Sequence, residues 1–100
     1  MPMARVKLEH DAHRVYELDD GLLLVFKPAG HVEPEHAHPH ARQLRVLRGR
    51  LRVQTASANL FLDPQSEQLS LAAGQTHTTE ALEATWLIAE ASDDGGRASM

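Results

Sequence analysis

The sequence GHVEPEHAHPH, residues 30–40, holds four of the seven histidines in this chain of 100 residues. On an extended strand side chains alternate between faces, so His36 and His38 would project from one face with rings about 6–7 Å apart. Imidazoles so placed can converge on one metal ion at about 2.0–2.1 Å. Pro39 disfavours a helix, which would put these two residues on different faces. The segment therefore predicts a strand carrying a pair of metal ligands, with a histidine-rich surface loop as the alternative.

Strand and turn patterns lie on both sides of this segment. Two apolar runs, residues 15–18 and 22–26, flank Asp19-Asp20-Gly21, which is typical of a tight hairpin turn. From residue 42 to 55 apolar and polar residues mostly alternate, with an interruption at Gly49. These patterns predict a hairpin followed by two half-buried strands joined at Gly49.

The remaining sequence is less uniform. Leu60-Phe61-Leu62 is a short apolar run between turn-like segments and predicts a buried strand. Residues 79–91 are rich in Ala, Glu and Leu, and Leu82 and Trp86 stand four residues apart, so local propensity allows a helix as readily as a strand. Short strands with turns at this spacing favour a sandwich or barrel.

Length and composition set the limits of function. One hundred residues, 42% hydrophobic and 24% charged, are expected to form a single globular domain over residues 1–92, with a flexible tail over 93–100. The chain has no cysteine, so a metal must be held by nitrogen and oxygen ligands. No apolar run is long enough for a membrane helix, and the N-terminus lacks the apolar core of a signal peptide. We expect a cytoplasmic protein with no membrane partner.

Charge is unevenly distributed. The formal net charge is −4, which argues against a nucleic-acid partner, but five arginines lie between Arg42 and Arg52. That stretch is interpreted either as a solvated strand face or as a basic face for an anionic ligand.

Taken together, these segments resemble the two sequence motifs of the cupin superfamily. In the first motif a glycine is followed after five residues by His-x-His, then by a glutamate or glutamine, and then by a second glycine. Gly30, His36, His38 and Gly49 stand in that register. The resemblance implies an all-β double-stranded β-helix, a jelly-roll barrel of the cupin type.

The second motif is less complete. Gly74 and His77 match it, whereas Ala72 stands where proline is usual and Ser66 where the first glycine is usual. The resemblance extends over Leu22–Glu90. It favours a closing strand over residues 84–89, with Trp86 carried into or against the barrel.

The resemblance implies a metal site made by His36, His38 and His77, which would hold one divalent transition metal: zinc, iron, manganese, nickel or copper. The fourth family ligand is missing, because Arg42 occupies the usual glutamate position. Arginine stays protonated and cannot ligate a metal. Gln43 could replace the missing ligand if a bulge shifted the strand by one residue. The alternatives are a three-histidine site completed by water, and a metal-free pocket in which Arg42 binds an anion or pairs with Glu33 or Glu35.

Three functional hypotheses follow. The first is a metal-dependent enzyme, of dioxygenase or isomerase type, acting on a small anionic or phenolic molecule with Arg42 as the substrate-binding clamp. The second is a non-catalytic sensor that binds a small molecule or a metal, and the third is a metal-free structural cupin. Glu33 and Glu35 are candidate general bases or surface turn residues. The superfamily includes dioxygenases, isomerases and non-catalytic binders, so the fold does not select among the hypotheses. Because a small barrel has open sheet edges, we also expect a homodimer.

Overall fold

The computed structural model describes residues 5–10, 12–19 and 21–91. In that part of the chain every regular element is a strand. The ten strands are β1 Arg5–His10, β2 His13–Asp19, β3 Leu22–Lys27, β4 Val32–His36, β5 Arg42–Arg48, β6 Leu51–Thr55, β7 Asn59–Leu62, β8 Leu69–Leu71, β9 His77–Ala81 and β10 Thr85–Ala91. The expected all-β class is confirmed.

The strands form two sheets. One has six strands in the order β1-β2-β3-β10-β5-β8, and the other has four in the order β4-β9-β6-β7. Described neighbours pair antiparallel, and from β3 onward most connections cross from one sheet to the other. This crossing pattern is that of a jelly roll, as expected.

The hydrophobic core lies between the two sheets. Leu51, Val53 and Ala81 of the smaller sheet are fully buried, and Val46 and Leu87 of the larger sheet pack against the same interior. Burying a side chain of this size contributes about 1.5–3 kcal/mol relative to leaving it in water. The alternation in residues 42–55 therefore predicted the inward faces of β5 and β6 correctly.

Gly49 makes the corner at which the chain leaves one sheet for the other. Its φ is +94°, and a Cβ at this position would lie 2.2 Å from the carbonyl oxygen of Ala84. Beside it, the buried Thr85 hydroxyl accepts a hydrogen bond from the Arg50 N–H at 3.1 Å. Glycine is required here by both backbone conformation and space.

The ambiguous segment 79–91 forms two strands rather than a helix. β10 pairs with β3 on one side and β5 on the other, which places it in the middle of the larger sheet. Thr85, Leu87 and Ala89 point inward, while Trp86 lies on the outer face with its ring 4.8 Å from that of Phe26. The strand favoured by the cupin resemblance is confirmed, since paired neighbours on both sides outweigh local helix propensity.

Two other expectations are refined. β2 and β3 form the predicted hairpin, with Gly21 at φ +80°. In β7, Leu62 is buried, but Phe61 is 49% exposed beneath the guanidinium of Arg50. The run Leu60–Leu62 therefore alternates between faces and is not buried throughout. The predicted tail, residues 93–100, lies outside the described residues, which contain no helix that could span a membrane.

Candidate metal centre

The three predicted histidine ligands lie side by side. His36, the last residue of β4, is directly opposite His77, the first residue of β9. His38 follows two residues after His36, and its backbone oxygen accepts a hydrogen bond from the Gly74 N–H at 2.8 Å. This contact ties the segment after β4 to the turn before β9, so that all three rings face one another.

The ring separations are short. The centroid distances are 4.8 Å for His36 and His38, 4.4 Å for His36 and His77, and 5.4 Å for His38 and His77. One nitrogen from each ring lies within 4.8 Å of the other two. Nitrogens on one metal ion at about 2.0–2.1 Å are roughly 3–4 Å apart. The three rings can therefore share an ion after small side-chain rotations.

Hydrogen bonds orient two of these rings for metal binding. The Nδ1 atom of His36 lies 2.7 Å from the backbone oxygen of Pro34, and Nδ1 of His77 lies 3.2 Å from that of Gln75. A carbonyl oxygen only accepts, so each Nδ1–H donates, and in the neutral ring the lone pair is then on Nε2. Metal-binding histidines commonly have such a backbone partner on the second nitrogen. The donor set thus fits a divalent transition metal.

Burial favours the uncharged form of two of these rings. Burial lowers the pKa of His38 from 6.5 to about 4, with further contributions from the positive charge of Arg42 and from the neighbouring histidines. Burial also lowers the pKa of His77. Neutral imidazole is the form that binds metal. These two ligands therefore need no deprotonation before they coordinate.

The three histidines line a cavity of about 180 Å³ between the two sheets. Its polar wall contains the three histidines together with His13, Lys27, Glu33 and Arg42. Its interior is apolar, formed by Val15, Leu23, Val25, Leu44, Leu51, Leu71, Leu87 and Ala89. Such a cavity suits a small molecule with an apolar body and a polar head.

Arg42 and Gln43 lie on opposite faces of β5. Arg42 lines the cavity, and burial lowers its pKa. Gln43 is directed away from the histidines, and its Oε1 accepts a hydrogen bond from the Nε2 of Gln68. The pairing of Gln43 with Ser70 and Glu90 is regular, and the described irregularity between β5 and β10 lies at the far end, near Arg48. The structure therefore does not bring Gln43 to the three rings, since the bulge that would turn it inward does not occur.

Sequence reasoning missed a second polar group in the cavity. Lys27 is only 4% exposed, and its Nζ donates to Glu33 Oε1 at 3.0 Å. Burial by itself would raise the pKa of Glu33, but the charge and hydrogen bond of Lys27 bring it below its ordinary value. Glu35, by contrast, is exposed and lies outside this cavity. Lys27 follows Leu23 and Val25 at intervals of two residues on β3, so strand alternation predicts that all three side chains point inward. This spacing is the signal in the sequence from which a buried lysine could have been predicted.

Comparisons with known proteins identify the fold. No protein-family model and no curated protein matches the sequence. Among solved structures, the chain is similar to the CENP-C cupin domain of Drosophila melanogaster, with a TM-score of 0.74 and 11% identity over 89% of this chain and 75% of that one. The chain is also similar to an RmlC-like cupin from Shewanella frigidimarina, with a TM-score of 0.73 and 16% identity over 92% of this chain and 88% of that one. CapF, in a structure with the inhibitor 3-isopropenyl-tropolone, gives 0.69 and 16% over 88% of this chain and 30% of that chain.

Proposed function

Because the chain has the fold of the cupin superfamily, we propose that it binds one divalent transition metal through His36, His38 and His77. We further propose that the adjoining cavity takes a small anionic or phenolic molecule. The observation that carries the proposal is the orientation of the rings: three imidazoles from β4, the following segment and β9 meet, and two donate Nδ1–H to backbone carbonyls. A bound metal would supply Lewis-acid or oxygen chemistry at the open positions of a three-histidine site.

The charge of the cavity wall supports an anionic ligand. Arg42 and Lys27 each carry one positive charge and Glu33 carries one negative charge, so these three residues have a net charge of about +1. The carboxylate is already paired with Lys27, so the guanidinium of Arg42 remains available to an incoming oxyanion, and its Nε has no hydrogen-bond partner. Guanidinium groups recognise carboxylates and other oxyanions through paired hydrogen bonds. Arg42 is therefore the proposed ligand clamp.

Metal analysis tests the first part of the proposal. Purified protein dialysed against zinc should retain metal with an affinity that falls at least tenfold in His36→Ala, because one of three ligands is lost. His40→Ala is the matched control, since His40 belongs to the same segment but is exposed and outside the ligand group. Equal zinc affinity in the two variants would exclude this site.

The ligand class is tested with tropolone as a probe, since it is a small acidic molecule with adjacent oxygen atoms. We expect zinc-loaded protein to bind tropolone, and Arg42→Gln to weaken that binding about tenfold, as expected for a charge-assisted contact. Binding that is unaffected by Arg42→Gln would remove the proposed clamp. Oxygen consumption by iron-loaded protein with candidate diols or acids separates a dioxygenase from a non-catalytic sensor.

We also propose a homodimer in the cytoplasm. Within the described part of the chain, β1 and β8 end the larger sheet, and β4 and β7 end the smaller one. Open edges present unpaired backbone groups, and pairing with a second copy would cover them. Size-exclusion chromatography with light scattering should give twice the mass of 11.1 kDa calculated for one chain. A mass of a single chain would contradict the dimer.

A further inference from the structure

A second cluster of metal-binding groups lies apart from the first three histidines. His13, His31 and Glu33 each direct one ligand atom to within 4.8 Å of the others. The rings of His13 and His31 are 4.2 Å apart between centroids. None of these residues belongs to the first group, and none matches a position of the cupin motifs.

Three separate elements position this cluster. His13 begins β2 and is only 6% exposed, and it stands one residue beyond the pair formed by Arg14 and Phe26 in the β2–β3 ladder. His31 lies in the turn before β4, where its N–H donates to the oxygen of Pro28 at 3.0 Å.

The smaller sheet fixes the other side of His31. Its backbone oxygen accepts from the Ala81 N–H at 2.9 Å, and Glu33 of β4 is paired with Thr79 of β9. The intervening Val32 is 56% exposed, so alternation turns His31 and Glu33 toward the same, inner side. The cluster is therefore held by backbone contacts on both sheets.

We propose that His13, His31 and Glu33 form a second divalent-metal site beside the cavity, whose wall includes His13 and Glu33. Two imidazoles and one carboxylate are a common donor set for zinc and for other first-row metals, and they leave at least one position open. The carboxylate of Glu33 has two oxygen atoms. Oε1 accepts a hydrogen bond from Lys27, so Oε2 can bind the ion.

Lys27 sets the affinity of this site. Its ammonium lies 3.0 Å from Glu33 Oε1, with the lysine side chain 5% exposed, so the charge opposes a second cation with little screening. This charge should therefore weaken metal binding at the second site, and the occupancy of that site should rise when the charge is removed.

Zinc stoichiometry tests the proposal. Full-length protein is equilibrated with increasing free zinc, and bound metal is measured by elemental analysis. Wild-type protein should bind two equivalents in two steps. His36→Ala should lose the step of the first site, and His31→Ala should lose the step of the second site. Glu33→Gln provides a second, shape-conserving variant, and it should weaken the step of the second site at least tenfold. Folding of each variant is checked by circular dichroism.

The outcomes separate the two sites. One equivalent that is lost in His36→Ala and retained in His31→Ala overturns the second site and leaves the first in place. One equivalent with the reverse dependence overturns the first site and supports the second. Lys27→Met should tighten the step of the second site about tenfold through removal of a like charge. An unchanged step of the second site in Lys27→Met or Glu33→Gln would contradict the assignment of Glu33 as a ligand.

Discussion

Replacement of Arg42 by glutamine should increase the affinity of the first site for zinc. Arg42 lines the cavity beside His38, and its positive charge is the largest contribution after burial to the lowered pKa of that ring. The same charge must oppose a divalent cation bound to the ring. Glutamine keeps much of the side-chain volume and removes the charge.

The pKa of His38 gives the direction of the effect. It falls from 6.5 to about 4, with burial as the largest cause and the charge of Arg42 as the second. A repulsion equal to one pKa unit between the guanidinium and a unit charge on the ring would be worth about 1.4 kcal/mol. A dication would feel roughly twice this repulsion, about 2.7 kcal/mol, which corresponds to nearly a hundredfold in affinity. Solvent screening at this partly exposed ring reduces the expected gain to between about tenfold and fiftyfold.

Isothermal titration with zinc at pH 7 measures this gain in the absence of added anion. Arg45→Gln is the matched control, because Arg45 lies on the same strand but is exposed, so it reports the effect of net charge alone. We expect Arg45→Gln to change the affinity less than twofold. If Arg42→Gln behaves like this control, or binds zinc more weakly than wild type, the guanidinium does not face the metal and the reasoning is wrong.

Three further predictions concern the fold and the ligand set. Gly49→Ala should lower the free energy of unfolding, measured by urea denaturation, by more than about 3 kcal/mol, because its Cβ would meet the oxygen of Ala84. Gly74→Ala, with φ +77° and open space around the new Cβ, should lower it by about 1–2 kcal/mol. Equal losses in the two variants would contradict the tight corner. Gln43→Ala should leave zinc affinity within twofold of wild type, since its side chain contacts Gln68 instead; a tenfold loss would restore Gln43 as a ligand. The pKa of His38 is lower in the folded than in the unfolded chain, so the unfolded chain takes up the proton first as the pH falls. The free energy of unfolding of metal-free protein should therefore fall by about 1–2 kcal/mol between pH 6.5 and pH 4, after allowance for screening. Urea titrations should show a smaller fall in His38→Asn, and an identical fall would refute this assignment.

Local sequence patterns predicted much of the fold. The hairpin around Gly21 and the inward faces of β5 and β6 follow from turn chemistry and alternation, which depend on near neighbours only. The segment 79–91 could not be assigned in this way, because β10 owes its conformation to β3 and β5, both remote in sequence. Here the motif resemblance supplied the long-range information that propensity lacks.

The site shows the same division. Alternation predicted that His36 and His38 lie near each other, which they do, although β4 ends at His36 and His38 lies beyond the strand. Only the pairing of β4 with β9 brings His77 opposite His36. The sequence allows Glu33 to be a general base, a partner of Arg42 or a surface turn residue. It does not predict the pair with Lys27, because Lys27 lies on a strand of the other sheet. A strand pattern predicts which polar side chains point inward, whereas the partner of such a side chain depends on how the two sheets face each other.

The substitution of arginine for the usual acidic ligand changes what the proposed pocket selects. The formal charges of Arg42, Lys27 and Glu33 add up to one net positive charge in the described cavity wall, and a divalent metal would raise it to about three. An anion that contacts both the metal and Arg42 reduces the electrostatic repulsion between these two positive groups. Under the proposed function, metal and anion therefore strengthen each other's binding by the same factor, as linkage requires. A carboxylate at position 42 would favour the metal by itself, whereas arginine makes tight metal binding depend on the anionic ligand.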